Sequence, residues 1–224
     1  MTPIDRPSPN FDTRTQPVTM VVLHYTGMTD CAAALDRLTD PAAKVSAHWL
    51  VAEDGQVLRL VDEGWRAWHA GRSWWRGATD VNSASIGIEI VNPGHEFGYR
   101  PFPDEQMASV EALVAAAVAR YGIDPSNVVG HSDVAPSRKE DPGELFDWPR
   151  LARAGLAAKI PTTGFDPGWT DPGTLAALAR YGYDITEPVP AVIAFQRRFR
   201  PARFDGVIDA ETRTLLRGLM VGAA

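Results

Sequence analysis

Asn127-Val128-Val129-Gly130-His131-Ser132-Asp133, continued by Lys139-Glu140-Asp141-Pro142-Gly143, is the stretch from which the fold is read. The short apolar run reads as a strand ending at Gly130. A loop rich in Pro and Ser, with no periodic pattern, then carries a histidine, a lysine and an aspartate. Loops held at strand ends by a rigid sheet are where reactive groups tend to sit. The His131 imidazole and the Asp141 carboxylate could close on one divalent metal ion. Two ligands do not complete a site, so the rest of the chain must supply the others.

Working outward, residues 18–23 form a continuous apolar run that ends at His24-Tyr25-Thr26-Gly27, the pattern of a buried strand delivering a histidine at its end. Asp30 is a candidate N-cap for a helix over 31–39, with Ala34, Leu35 and Leu38 inward and Asp40-Pro41 as the stop. Two strand-like runs, 46–52 and 56–61, flank Asp54-Gly55, a strong hairpin signal. Residues 83–91 alternate: Ile86, Ile88 and Ile90 share one face, while Gly87, Glu89 and Val91 share the other. Glu89 is thus a carboxylate in the middle of a largely apolar strand, and charges are seldom placed there without a partner or a task. Pro103-Asp104 opens a helix to Tyr121, with Met107, Val110, Leu113, Val114, Ala117 and Val118 as its inward stripe and Gly122 as its stop. Residues 146–156 read as a closing helix. Strands and helices intermixed in this way predict an α/β fold, a mixed β-sheet flanked by helices.

Residues 65–75 contain four of the seven tryptophans without helical or strand periodicity. Two readings stand side by side, a loop whose aromatics cover the core and one wall of a ligand cleft. Composition shifts at 159–168, where Pro, Thr and Gly replace apolar periodicity. The expected organisation is therefore a catalytic domain over 1–158, a linker over 159–170 and a small three-helix domain over 171–224. In that last unit Asp171-Pro172 supplies an N-cap and a first-turn proline, 190–199 is amphipathic, and Asp209 caps a third helix.

The chain has 224 residues, 45% hydrophobic and 22% charged, enough for one sizeable domain and a small one. A net charge of -6 without a Lys/Arg-rich stripe argues against a nucleic-acid partner. No apolar run is long enough to span a bilayer. The first sixteen residues lack the apolar stretch of a signal peptide, so the expected location is cytoplasmic, or periplasmic for a chain trimmed of its export signal. Cys31 is the only cysteine, which excludes an intrachain disulfide and leaves any metal site to His and carboxylate. His24, His131 and Asp141 make a two-His, one-carboxylate set, the ligand count of a catalytic zinc site whose fourth position is left to water. His48, His69 and His95 compete with them on composition alone.

Taken together, His24-Tyr25-Thr26, Ser46-Ala47-His48-Trp49, Ala67-Trp68-His69-Ala70-Gly71, Ser85-Ile86-Gly87-Ile88-Glu89, Gly130-His131-Ser132-Asp133 and Lys139 with Asp141-Pro142-Gly143 resemble the type 2 N-acetylmuramoyl-L-alanine amidases, zinc peptidoglycan amidases of the AmpD and AmiD kind. The resemblance runs from about Pro9 to Leu156, with the motifs in the family's order. Residues 191–199 with Asp205-Gly206-Val207-Ile208-Asp209 are similar to a three-helix peptidoglycan-binding domain. The resemblance implies that His24, His131 and Asp141 hold Zn2+, that Glu89 is the catalytic carboxylate and that Lys139 is the cationic helper. The partners it implies are peptidoglycan fragments or muropeptides, with Tyr25, Trp68 and His69 as candidates for lining the cleft. Asp141 stands where animal recognition proteins and phage-type amidases often carry Cys, which places the chain on the bacterial side. A non-catalytic peptidoglycan-binding protein is the alternative; such a protein would be free to lose a ligand, Glu89 or Lys139, and all five are present.

Overall fold

The structure, a computed structural model, describes residues 2–222. Its centre is a six-stranded mixed sheet in the order β1 (Ile4–Asp5), β5 (Val57–Arg59), β4 (Trp49–Val51), β7 (Ser85–Ile90), β3 (Met20–Tyr25) and β8 (Val128–Gly130). Strands β4, β7, β3 and β8 run parallel, and β5 returns antiparallel to β4 through the Asp54-Gly55 turn. A second pair, β2 (Phe11–Thr13) with β6 (Trp65–Ala67), is antiparallel. Parallel neighbours explain the continuous apolar reading of β3, which is buried on both faces.

Period-two alternation divides the sheet into two chemical faces. Val21 and Leu23 of β3 and Ile86, Ile88 and Ile90 of β7 enter a core covered by α4 (Asp104–Tyr121) and α6 (Trp148–Arg153). On α4 the buried residues Met107, Val110, Val114 and Ala117 recur at helical spacing, and each large one is worth about 1.5–3 kcal/mol on burial. Leu113 and Val118, predicted inward, pack only at the margin of this core. Gln106 is buried instead, donating from Nε2 to the carbonyls of Val51 and Val91. Gly122 ends α4 in the left-handed region at φ 64°, as its position predicts.

The opposite face is shared. At one side α1 (Cys31–Thr39), capped by the Asp30 side chain on the Ala33 amide, packs Ala34 and Leu38 on Leu50, Leu58 and Leu60. At the other side α7 (Asp171–Tyr181), α8 (Pro188–Phe199) and α9 (Ala210–Gly222) bury Leu178, Phe195, Phe199 and Leu216 in one cluster with Met20, Val22 and Val129 of the sheet. Trp75, from the tryptophan-rich stretch, joins this cluster against Tyr181 and Tyr183.

Several boundaries differ from the sequence expectations. The hairpin strands are three residues each, shorter than the apolar runs. The closing helix is only Trp148–Arg153: Asp147 accepts from the Arg150 amide to start it, and Gly155, at φ 74°, follows its end. Thr170, not Asp171, caps α7; Asp171 is the first helical residue, where its charge faces the positive end of the helix. The stretch after Gly130 is a one-turn helix, α5 (His131–Val134), rather than open loop. The short helices α2 (Val81–Ala84) and α3 (Gly94–Phe97) had no periodic signal. Among the described residues no helix is long and apolar enough to cross a membrane.

His48 is buried in this framework and serves it. The Gly87 amide donates to its Nδ1 (2.9 Å), and its Nε2 lies 2.8 Å from Arg14 Nη2 and 3.1 Å from the Trp65 carbonyl. Burial, with the Arg14 charge beside it, pulls its pKa from 6.5 to about 3. The folded state thus keeps His48 neutral where the unfolded chain takes up a proton, and stability falls as pH drops from 6.5 towards 3. Between about pH 7.5 and 4.5 this one residue is expected to remove about 2–3 kcal/mol, and His48→Asn should show that much less acid loss in urea unfolding. Equal acid loss in both proteins would refute it.

Candidate active site

Register brings the site together before any loop is considered. His24 on β3 pairs with Glu89 on β7, and β8 lies on the other side of β3, with Leu23 opposite Gly130. The carboxyl ends of parallel strands are where α/β proteins hold ligands, and His24, Glu89 and His131 all sit there. Asp141 arrives on the following loop, fastened by the Ser132 amide on its carbonyl (2.9 Å). Tyr99 holds the next turn, donating to the Pro142 carbonyl (2.7 Å) and accepting from the Leu145 amide (3.0 Å). Asp133 accepts from the Gly130 amide (2.7 Å) and fixes the start of α5, and hence His131.

The three side chains converge on one point. His24 Nδ1 lies 2.9 Å from His131 Nδ1, and each lies 3.1 Å from Asp141 Oδ2. All three residues are buried. With both rings neutral, hydrogen bonds alone do not satisfy such a triangle: only two ring protons are available, His131 directs its own from Nε2 at the Ala70 carbonyl (3.1 Å), and His24 Nε2 lies 3.0 Å from His69 Nδ1. Ligand atoms on a tetrahedral ion at zinc distances stand roughly 3.3 Å apart, so the spacing fits a metal. Burial and the neighbouring His131 pull the His24 pKa from 6.5 to about 4, which leaves the imidazole neutral, as a ligand must be. Burial works to raise the Asp141 pKa, but both histidines outweigh it and hold that carboxyl well below its usual range.

Glu89 stands beside this cluster, partly buried, and its Oε2 is shielded from solvent without a hydrogen-bond partner. Burial, reinforced by the Asp141 carboxylate and opposed by Lys139, pushes its pKa well above the ordinary 4.5. A carboxyl so shifted holds a proton more readily than an exposed one and is a candidate to take one up and return it. The cluster lines a cleft of about 340 Å³, together with Tyr25, Trp68, His69 and Lys139. Trp68 Nε1 has no partner. Tyr25 bonds through its hydroxyl to His95 Nδ1 (3.0 Å), which draws His95 into the rim rather than onto the metal cluster. His69 is buried behind His24. Sequence reading assigned no role to Asn82, Ser85 or Gly87, which surround His69. The one signal was the run Asn82-Ser83-Ala84-Ser85, polar where an apolar strand begins.

The mixed sheet carries a buried His-His-Asp group that could hold a metal ion, beside a carboxyl whose pKa is raised. The family described as N-acetylmuramoyl-L-alanine amidase matches residues 14–144, and the chain belongs to it: it is an enzyme of the amidase class. It is 37% identical to N-acetylmuramoyl-L-alanine amidase AmiD of Escherichia coli K12, over 97% of this chain and 90% of that protein. It is 34% identical to the 1,6-anhydro-N-acetylmuramyl-L-alanine amidase AmpD of Haemophilus influenzae, over 64% of this chain and 86% of the relative. Among solved structures, AmpDh3 of Pseudomonas aeruginosa in complex with anhydromuramic pentapeptide superposes with TM-score 0.86 at 33% identity, covering 96% of this chain and 97% of the other. The E. coli AmiD complex with anhydro-N-acetylmuramic acid-L-Ala-D-gamma-Glu-L-Lys gives 0.83 at 35% identity, covering 94% and 92%.

Proposed function

We propose that this chain hydrolyses, with zinc, the amide joining the lactyl group of N-acetylmuramic acid, ordinary or anhydro, to L-alanine of the stem peptide. The observation that carries this reading is the three-atom cluster of His24, His131 and Asp141 in the cleft, with the unpartnered Glu89 Oε2 beside it. The relatives' bound anhydromuramyl peptides support the substrate class. A zinc ion held by His24, His131 and Asp141 would supply a water nucleophile at neutral pH and an electrophilic pull on the scissile carbonyl. Glu89 accepts the proton of the attacking water on its free oxygen and returns it to the departing alanine nitrogen. Lys139 faces the carbonyl oxygen as charge develops there, a contribution typically of a few kcal/mol per donor. Tyr25 and Trp68 hold the substrate, with Trp68 Nε1 as an available donor. On this reading residues 1–158 carry the chemistry, 159–170 connect, and 171–224 bind peptidoglycan, which a sacculus-sedimentation assay of the full chain tests.

The deciding experiment is release of free stem peptide from a purified anhydro-muropeptide. Release is expected to disappear with a chelator and return on zinc addition. No release by zinc-loaded protein would overturn the amidase reading and leave a peptidoglycan-binding protein.

A further inference from the structure

Both histidines of the cluster present Nδ1, so both must keep their ring proton on Nε2. For His131 the Ala70 carbonyl settles this, since it can only accept. For His24 the partner is another imidazole, His69, which can accept or donate. The direction is set one residue further back. Ser85 Oγ lies 2.5 Å from the Val81 carbonyl, a contact that requires the hydroxyl proton between them. Ser85 Oγ therefore accepts from His69 Nε2 at 3.2 Å. With its proton on Nε2, His69 offers a lone pair on Nδ1, and His24 Nε2–H donates to it at 3.0 Å. The opposite orientation would put a proton on His24 Nδ1, where the metal must bind.

We propose that His69 is a positioning residue: through Ser85 it is held as an acceptor, and it thereby fixes the tautomer and ring direction of His24. This rests on the zinc reading of the cluster. Two further observations point the same way. The amides of His69 and Ala70 both donate to Asn82 Oδ1, at 3.0 and 2.7 Å, so one side chain pins the dipeptide that orients both metal histidines. The His69 ring also lies over Gly87, where an added Cβ would come within 2.4 Å of His69 Cγ. Glycine at that strand position leaves room for the imidazole and for no other atom.

The test measures zinc affinity of the full-length chain by competition with a chromogenic chelator, alongside the nitrogen NMR signature of His24 in the metal-free protein. His69→Leu is expected to weaken zinc binding 10–100-fold, as loss of such a partner commonly does, and to give His24 as a mixture of tautomers. His69→Asn places a carbonyl acceptor near the former Nδ1 and should hold affinity within about threefold of the parent. Ser85→Ala, which removes only a hydroxyl and keeps the test valid if the leucine variant misfolds, should weaken binding about tenfold. Unchanged affinity in both His69→Leu and Ser85→Ala, or an asparagine variant as weak as leucine, would overturn the proposal. A parent chain that binds no zinc would instead refute the metal reading, while the tautomer of His24 would still report on His69.

Discussion

Replacing Glu89 with alanine is expected to lower stem-peptide release by about 10²–10⁴-fold while zinc binding stays intact, the range a positioned general base supplies. The magnitude follows from its position. Glu89 is register-paired with His24 and is not one of the three converging ligands, so its loss leaves the metal donors in place. Glu89→Gln sharpens the experiment, because it keeps volume and polarity and removes only the ability to take a proton. If the alanine variant turned over within tenfold of the parent, Glu89 would be structural and another group would have to move the proton. If zinc were lost together with activity, the carboxylate would belong to the metal set. The two measurements, rate and bound metal on the same preparation, separate these cases.

Much of this site was legible in the sequence because its groups occupy the ends and faces that local pattern determines. His24 and His131 follow apolar strand runs, and Glu89 falls on the minority face of an alternating strand. Their positions depended on period-two geometry alone. What pattern could not supply was mutual orientation. His69 does line the cleft, as expected of its tryptophan-rich stretch, but nothing in that stretch announced its contacts with the sheet. Its ring bonds to the Ser85 hydroxyl and fits in the space that Gly87 leaves, and both come within reach only after β7 pairs with β3. Likewise the amphipathic periods of α7, α8 and α9 announced a buried stripe without naming its partner. A stripe of Phe195, Phe199 and Leu178 reads the same whether three helices close on one another or on a sheet, and here they also meet Met20, Val22 and Val129. The three-residue strands β2 and β6 carry too few residues for alternation to register, so their pairing is a product of the tertiary fold.

The packing of those helices leads to the second large effect, Arg198→Met. Arg198 on α8 is buried, donating to Asp133 Oδ2 at 2.6 Å and to the Val128 carbonyl at 2.8 Å, with its guanidinium 4.0 Å from the centre of the Trp148 ring. Tyr183 donates to the other Asp133 oxygen. A buried ion pair adds little net stability, since desolvation offsets attraction, but removing one partner strands the other and costs about 3–5 kcal/mol. For a chain of this length that corresponds to a fall in Tm of roughly 6–20 °C. Methionine keeps much of the volume, so the loss reports the stranded Asp133 rather than a cavity. Adding Asp133→Asn removes that charge while keeping an acceptor for Gly130 or Tyr183, and should recover more than half of the loss. Asp133 also starts the helical turn that carries His131, so the single variant should bind zinc more weakly than the double one. A cost below about 1 kcal/mol, or a thermal trace in which the C-terminal helices melt separately before the sheet, would contradict the argument. The same contacts explain why a chain ending at residue 158 should be poorly soluble: it would expose Met20, Val22, Val129 and Trp75 and leave the Asp133 carboxylate, which starts the turn carrying His131, without its cation.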